Sequence, residues 1–254
     1  MEPPENIPLP LDLSPETALQ PHADYWSESR RPWVSLLFLT PLLVFYEGGV
    51  LLENTAAARN GADLWLRTIL DAIGFGHYFL LPLLLVAILL AWHYTTGESW
   101  RVSPATLFGM AVECTLLSAA LWLLLQWQST VWHIPAARQE CSWPPWMIRM
   151  ISYLGAGLYE ELLFRLILLP AGVWVLRLSG CSAVWSFLTA ALATSGFFAI
   201  AHHLGTAGEP WNFFAFAFRF VAGIFFCGLF WFRGFGIAAG AHAGYDILVG
   251  ILAT

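Results

Sequence analysis

Tyr159-Glu160-Glu161-Leu162-Leu163-Phe164-Arg165 sets two adjacent carboxylates and an arginine inside an otherwise apolar run from about Met147 to Leu178. Charge in the middle of a bilayer is costly, so intramembrane ionisable residues face a cavity, pair with one another and mark function. On a helix, Glu161 and Arg165 share a face one turn apart with the acid first, which is the favourable order. Glu160 lies about 100° round the same helix and points elsewhere. The spacing predicts that Glu161 and Arg165 neutralise each other and leave Glu160 as the free chemical group. The stretch alone is equally compatible with a structural ion network that ties two helices together.

Outward from this run the composition sets the class. The chain has 254 residues, of which 58% are hydrophobic, 16% aromatic and 11% charged, whereas soluble domains carry about a quarter charged residues. This excludes an ordinary soluble domain and predicts an all-α fold, a polytopic transmembrane helical bundle of about seven to eight spans enclosing a membrane cavity. The formal net charge is −6, and much of it comes from acids ahead of Pro32. No basic patch of the kind nucleic acid requires is present, so the partners expected are the lipid bilayer and a membrane-borne substrate. Cys114, Cys141, Cys181 and Cys227 show no CxxC spacing and read as small hydrophobes, not as a disulfide framework or zinc cluster.

In chain order, residues 1–32 read as a disordered, acidic, Pro-rich tail with no cleavable signal, and 33–254 as one transmembrane domain. Arg30-Arg31 favours a cytoplasmic N-terminus, and the inner (plasma) membrane is the expected location. Expected spans are Trp33 to Leu52, Tyr78 to Trp92, Ala105 to Leu125, the motif run, Cys181 to His203, Phe213 to Trp231 and Gly236 to Leu252. Trp33 to Leu52 matches the roughly 20 apolar residues a bilayer core requires. Glu47 in the first span could line the same cavity or snorkel near a helix end, the second being the expectation, and Glu113 sits inside the third. Residues 53–76 suggest an amphipathic interfacial helix with Leu64, Ile69 and Ile73 on one side. Trp and Pro between Gln126 and Trp146 suit an aromatic belt, and Pro170 should kink or end the regular part of the motif helix.

Two later spans add polar groups at helical spacing: Phe198 with His202, and His242 with Asp246. Gly236, Gly240 and Gly244 form a small-residue ridge for close helix packing. His242 faces about 200° away from Gly240, toward a cavity. A single helical histidine is commonly a satisfied core residue. Together Glu160, His202, His242 and Asp246 form a general acid/base set. Burial in an apolar site brings a carboxyl group toward the range where it both takes and gives a proton. Glu160 with His202 can then activate water, and His242 with Asp246 can stabilise an oxyanion. The reaction these roles predict is hydrolysis of a peptide bond in or beside the membrane.

The ordered set Glu160-Glu161-x3-Arg165, Phe198-x3-His202 and His242-x3-Asp246 resembles the CPBP family of intramembrane endopeptidases (CAAX protease and bacteriocin-processing, also called Abi). The resemblance covers about residues 105–254. It implies a bundle of about eight spans, water activation by Glu160 and His202, an oxyanion site at His242 and Asp246, and support from Glu161 and Arg165. The last position is often asparagine in the family; an ionised Asp246 orients and charges His242 and donates no hydrogen bond itself. His203 reads as interfacial.

The family has been described as metal-dependent, and Glu160, His202 and His242 are three potential zinc ligands. No H-E-x-x-H helix accompanies them, which favours a metal-free glutamate mechanism with no cofactor. The resemblance implies a membrane-anchored or lipidated protein substrate, cut near its C-terminus. A non-proteolytic scaffold or bacteriocin-immunity protein is the alternative. A transporter using Glu47, Glu113 and Glu160 as a proton path is a third, and the sequence lacks the paired repeats it would be expected to show.

Overall fold

The apolar composition becomes helix. The structure, a computed structural model, describes residues 24–53, 59–132, 146–204 and 208–252, among which no strand occurs. The helices are α1 (Tyr25–Glu28), α2 (Pro32–Glu53), α3 (Gly61–Ala72), α4 (Leu80–Thr96) and α5 (Pro104–Val131). A run of α6 (Trp146–Gly155), two π-helical segments (Ala156–Glu160 and Leu162–Leu168) and α7 (Leu169–Leu178) follows. The chain then forms α8 (Ala183–Ala201), α9 (Phe213–Arg233) and α10 (Phe235–Leu252). Starts are fixed locally: the side chains of Asn60, Ser103, Ser182 and Asn212 each accept a first-turn backbone N–H, the usual work of an N-cap. At Gly234 a φ of +87° turns α9 directly into α10, a conformation that favours glycine.

This is an integral membrane protein, and every expected span has a helix. Among the described residues four helices are long and apolar enough to cross a bilayer: α2 over Pro32–Leu52, α5, α8 and α9. Helix α4 is apolar but shorter, at 17 residues. The motif run is broken by its π segments, and α10 buries Phe235, Ile237, Ala238, Ala239 and Ala241 completely within protein.

Three local expectations also change. Residues 24–31, assigned to the tail, are packed: Glu28 is buried and accepts from the Ser103 N–H at 2.6 Å and the Thr106 hydroxyl at 3.0 Å. Residues 1–23 lie outside the described residues. Helix α5 continues to Val131, carrying exposed Trp127 into the region read as a connection, whereas 133–145, with Cys141, lie outside the described residues. Glu47 does not snorkel. It is buried, accepts from the Tyr159 hydroxyl and pairs with Arg67 at 3.3 Å, because α3 folds against the bundle and brings the arginine to it.

Helix α3 leaves Leu64, Ile69 and Ile73 exposed and buries Ala62, Asp63 and Leu66. Asp63, fully buried, accepts from Tyr46 at 2.8 Å, Arg59 at 2.6 Å and Arg67 at 2.5 Å. A buried carboxylate is tolerated only with partners of this kind. Glu113 is held elsewhere, by both Arg233 Nε and Nη2 (2.6 and 2.7 Å) and the Tyr25 hydroxyl (2.5 Å). It therefore belongs to an anchor for the N-terminal segment, apart from Glu160.

The glycine ridge of α10 meets α2 and α5: a Cβ on Gly236 would contact Met110 and Ser35, and on Gly240 Phe38 and Cys114. Across the helix, Gly157 of the first π segment lies so close that an added Cβ would stand 2.6 Å from Ala239 O and Ala243 N. These neighbours are backbone and cannot swing aside. Gly157→Ala is therefore expected to destabilise the protein by about 1–3 kcal/mol, read as a lower melting temperature in detergent. An unchanged melting temperature would mean that the two helices are not in this contact.

Candidate active site

The motif run is not regular α-helix where its charges lie. Two π segments flank Glu161, and all residues from Ala156 to Arg165 are buried. π-Helical segments bond i→i+5 and are frequent at functional sites. Here they widen the run where it faces α10. Pro170, in the first turn of α7, lacks an N–H, and beyond it the run continues as α-helix to Leu178. The π segment Leu162–Leu168 thus ends just ahead of this proline.

Glu160 and Glu161 then diverge. Glu161, fully buried, faces Arg165 Nη1 at 2.9 Å and His242 Nδ1 at 2.7 Å. It is shared between the arginine and the imidazole, and is not occupied by Arg165 alone as the helical spacing implied. Glu160 points to the other side. Its Oε1 accepts from Asn60 Nδ2 at 2.8 Å. Its Oε2 has no hydrogen-bond partner, and His202 Nε2 and His242 Nε2 both stand 3.7 Å from it. That distance is beyond a direct hydrogen bond and is the spacing at which a small polar group bridges.

His202 follows the last turn of α8, with its Nδ1 2.8 Å from Phe198 O. Its side chain is 26% exposed, against 9% for Glu160 and 5% for His242, so the site is reached from the His202 side. Asp246 Oδ2 lies 3.7 Å from His242 Nε2, at the far edge of the cluster. The structure thus gathers Glu160, His202, His242 and Asp246, with Glu161 and Arg165 behind them. His202 sits at a helix end and Glu160 in the first π segment.

Phe198 sets its ring edge-on to His202 and His242, at centroid distances of 4.9 and 5.8 Å, and its face 4.5 Å from the Arg165 guanidinium carbon. It wedges the three motifs into one unit. His203 is not part of the set: its Nδ1 lies 3.1 Å from Glu209 O and its ring packs on Trp211. Three contributors carry no readable motif. Phe226 of α9 stacks on the His242 ring at 4.5 Å and 16°; Asn60 holds Glu160; Tyr159 ties the motif run to Glu47 of α2. Only the aromatic-rich composition of α9 hints at the first.

Both histidines have Nδ1 engaged within the protein and Nε2 turned toward Glu160. Among the described residues no group of three or more His, Cys, Asp or Glu side chains is arranged to hold a metal ion.

Fold and site define an all-α membrane protein with a buried carboxylate–imidazole centre. Residues 142–248, which hold every motif of that centre, match the family model described as Type II CAAX prenyl endopeptidase Rce1-like. The match supports the CPBP resemblance read from the motifs, and with it CAAX-type intramembrane proteolysis as the general activity. No curated protein and no solved structure matches the chain.

Proposed function

We propose that the protein is an intramembrane endopeptidase that hydrolyses a peptide bond near the C-terminus of a membrane-anchored or lipidated protein. The observation that carries this reading is the convergence of His202 Nε2 and His242 Nε2 on one oxygen of Glu160 that has no hydrogen-bond partner. A water between these groups donates a proton to Glu160 and is oriented by His202, whose Nε2 accepts when Nδ1–H donates to Phe198 O. The water oxygen attacks the scissile carbonyl. His242, its Nδ1–H on Glu161 and a proton on Nε2, donates to the oxyanion that forms. Asp246 beside it favours that proton. Collapse of the tetrahedral intermediate breaks the C–N bond as Glu160 returns its proton to the leaving amine. These steps use side chains and water alone. Arg30-Arg31 ahead of α2 supports a cytoplasmic N-terminus in the inner (plasma) membrane.

The test is cleavage of prenylated C-terminal peptides by the full chain in proteoliposomes, for the wild type and His202→Ala, with and without a strong zinc chelator. His202→Ala is expected to lose about 10²–10⁴-fold in kcat, and chelation to leave the wild type unchanged. Activity lost with chelator and restored by zinc would move Glu160, His202 and His242 into ligand roles.

A further inference from the structure

The general base is held by a residue outside the matched region. We propose that Asn60, at the head of α3, is a positioning residue for Glu160, a role that rests on the reading of Glu160 as the group that activates water. The Asn60 side chain makes two contacts of opposite polarity: its Oδ1 accepts from the Ala62 N–H at 2.8 Å and its Nδ2 donates to Glu160 Oε1 at 2.8 Å. The helix cap demands the oxygen at one end of the amide, so the NH2 end must face the carboxylate. One hydrogen bond thereby selects which Glu160 oxygen remains for chemistry, and it is the oxygen facing His202 and His242.

Asn60 is itself fixed. Its backbone N–H lies 3.4 Å from the Tyr46 hydroxyl, which bonds the fully buried Asp63 of the same helix. Asp63 in turn takes Arg59 and Arg67, and Arg67 reaches Glu47, which accepts from Tyr159, the neighbour of Glu160 in sequence. Helix α3, with Arg67 within it and Arg59 just ahead of it, forms a clamp around the catalytic turn, closed at one end by Asn60 and at the other by Tyr159. Supporting hydrogen bonds of this kind hold a reacting group within the narrow tolerance that catalysis requires.

Aspartate and serine cap helices about as well as asparagine, so the cap and the donation to Glu160 can be separated. Asn60→Asp keeps the cap and replaces the donor by a second carboxylate beside Glu160. Asn60→Ser keeps the cap and is too short to reach. Asn60→Ser is expected to melt close to the wild type, and Asn60→Asp lower because two carboxylates then meet in a buried site; in both, KM for the prenylated peptide is unchanged while kcat falls about 10²-fold. A readout without substrate accompanies this: the carboxyl band that Glu160→Gln removes from the infrared spectrum should shift in Asn60→Ser. Wild-type kcat and an unshifted band would overturn the proposal, as would losses of activity that only track losses of melting temperature. Glu160→Gln in the same assay separates the failures: if it turns over normally, the reading of Glu160 falls first. If it is inactive while Asn60→Asp and Asn60→Ser are not, Asn60 alone is wrong.

Discussion

Glu160→Gln is expected to lower kcat by about 10²–10⁴-fold while the protein folds and inserts as the wild type does. The exchange keeps the volume and the oxygen that can accept from Asn60, and removes only the capacity to take a proton. Asn60 sits 2.8 Å from Oε1, so the amide oxygen takes that place and the NH2 is turned toward His202 and His242. Proton transfer from water to position 160 is then impossible, and both imidazoles have lost the carboxylate they converge on. The measurement is single-turnover cleavage in proteoliposomes beside thermal melting in detergent. Wild-type melting with no turnover is the expected pair. If Glu160→Gln also leaves the cellular phenotype of the wild type intact, hydrolysis is not what the cell uses, and a scaffold that keeps the same bundle becomes the better account.

The motifs were legible because their logic is local. Spacings such as Phe198 to His202 or His242 to Asp246 place side chains on one helical face whatever surrounds them, and charge in an apolar run is conspicuous. Asn60 was not legible: it looks like any loop asparagine, and its meaning comes from the docking of α3 against a segment far away in sequence. Glu47 was visible as a buried charge but placed wrongly, since the partner that permits its burial, Arg67, lies in the stretch read as interfacial. The π segments around Glu161 are not legible either, because a run of apolar residues reads the same whether the helix turns with an i→i+4 or an i→i+5 bond. Phe226 is one phenylalanine among many in α9, and nothing in its neighbourhood marks it as the stacking partner of His242.

Arg165→Met is expected to cost about 3–5 kcal/mol of stability, the largest structural effect of any single change near the site. Arg165 and Glu161 are both essentially inaccessible, at 1% and 0% side-chain exposure, and pair at 2.9 Å. The guanidinium also donates to Gly223 O at 3.3 Å and lies over the rings of Phe198 and Phe226. Without it, a buried carboxylate faces only His242. Glu161→Gln should be comparably damaging, because it leaves the arginine buried without its carboxylate. The double variant Glu161→Gln with Arg165→Met removes both charges and is expected to recover most of the stability, as paired buried ions often allow. Turnover should not recover with it. The amide that Glu161→Gln introduces still accepts from His242 Nδ1–H but supplies no negative charge to hold a proton on that ring, so oxyanion stabilisation weakens and kcat is expected to stay about 10²-fold low. Thermal melting and cleavage on the same preparations decide the matter. Wild-type turnover in the restored double variant would make Glu161 a purely structural partner of Arg165, and the role assigned to it beside His242 would have to be withdrawn.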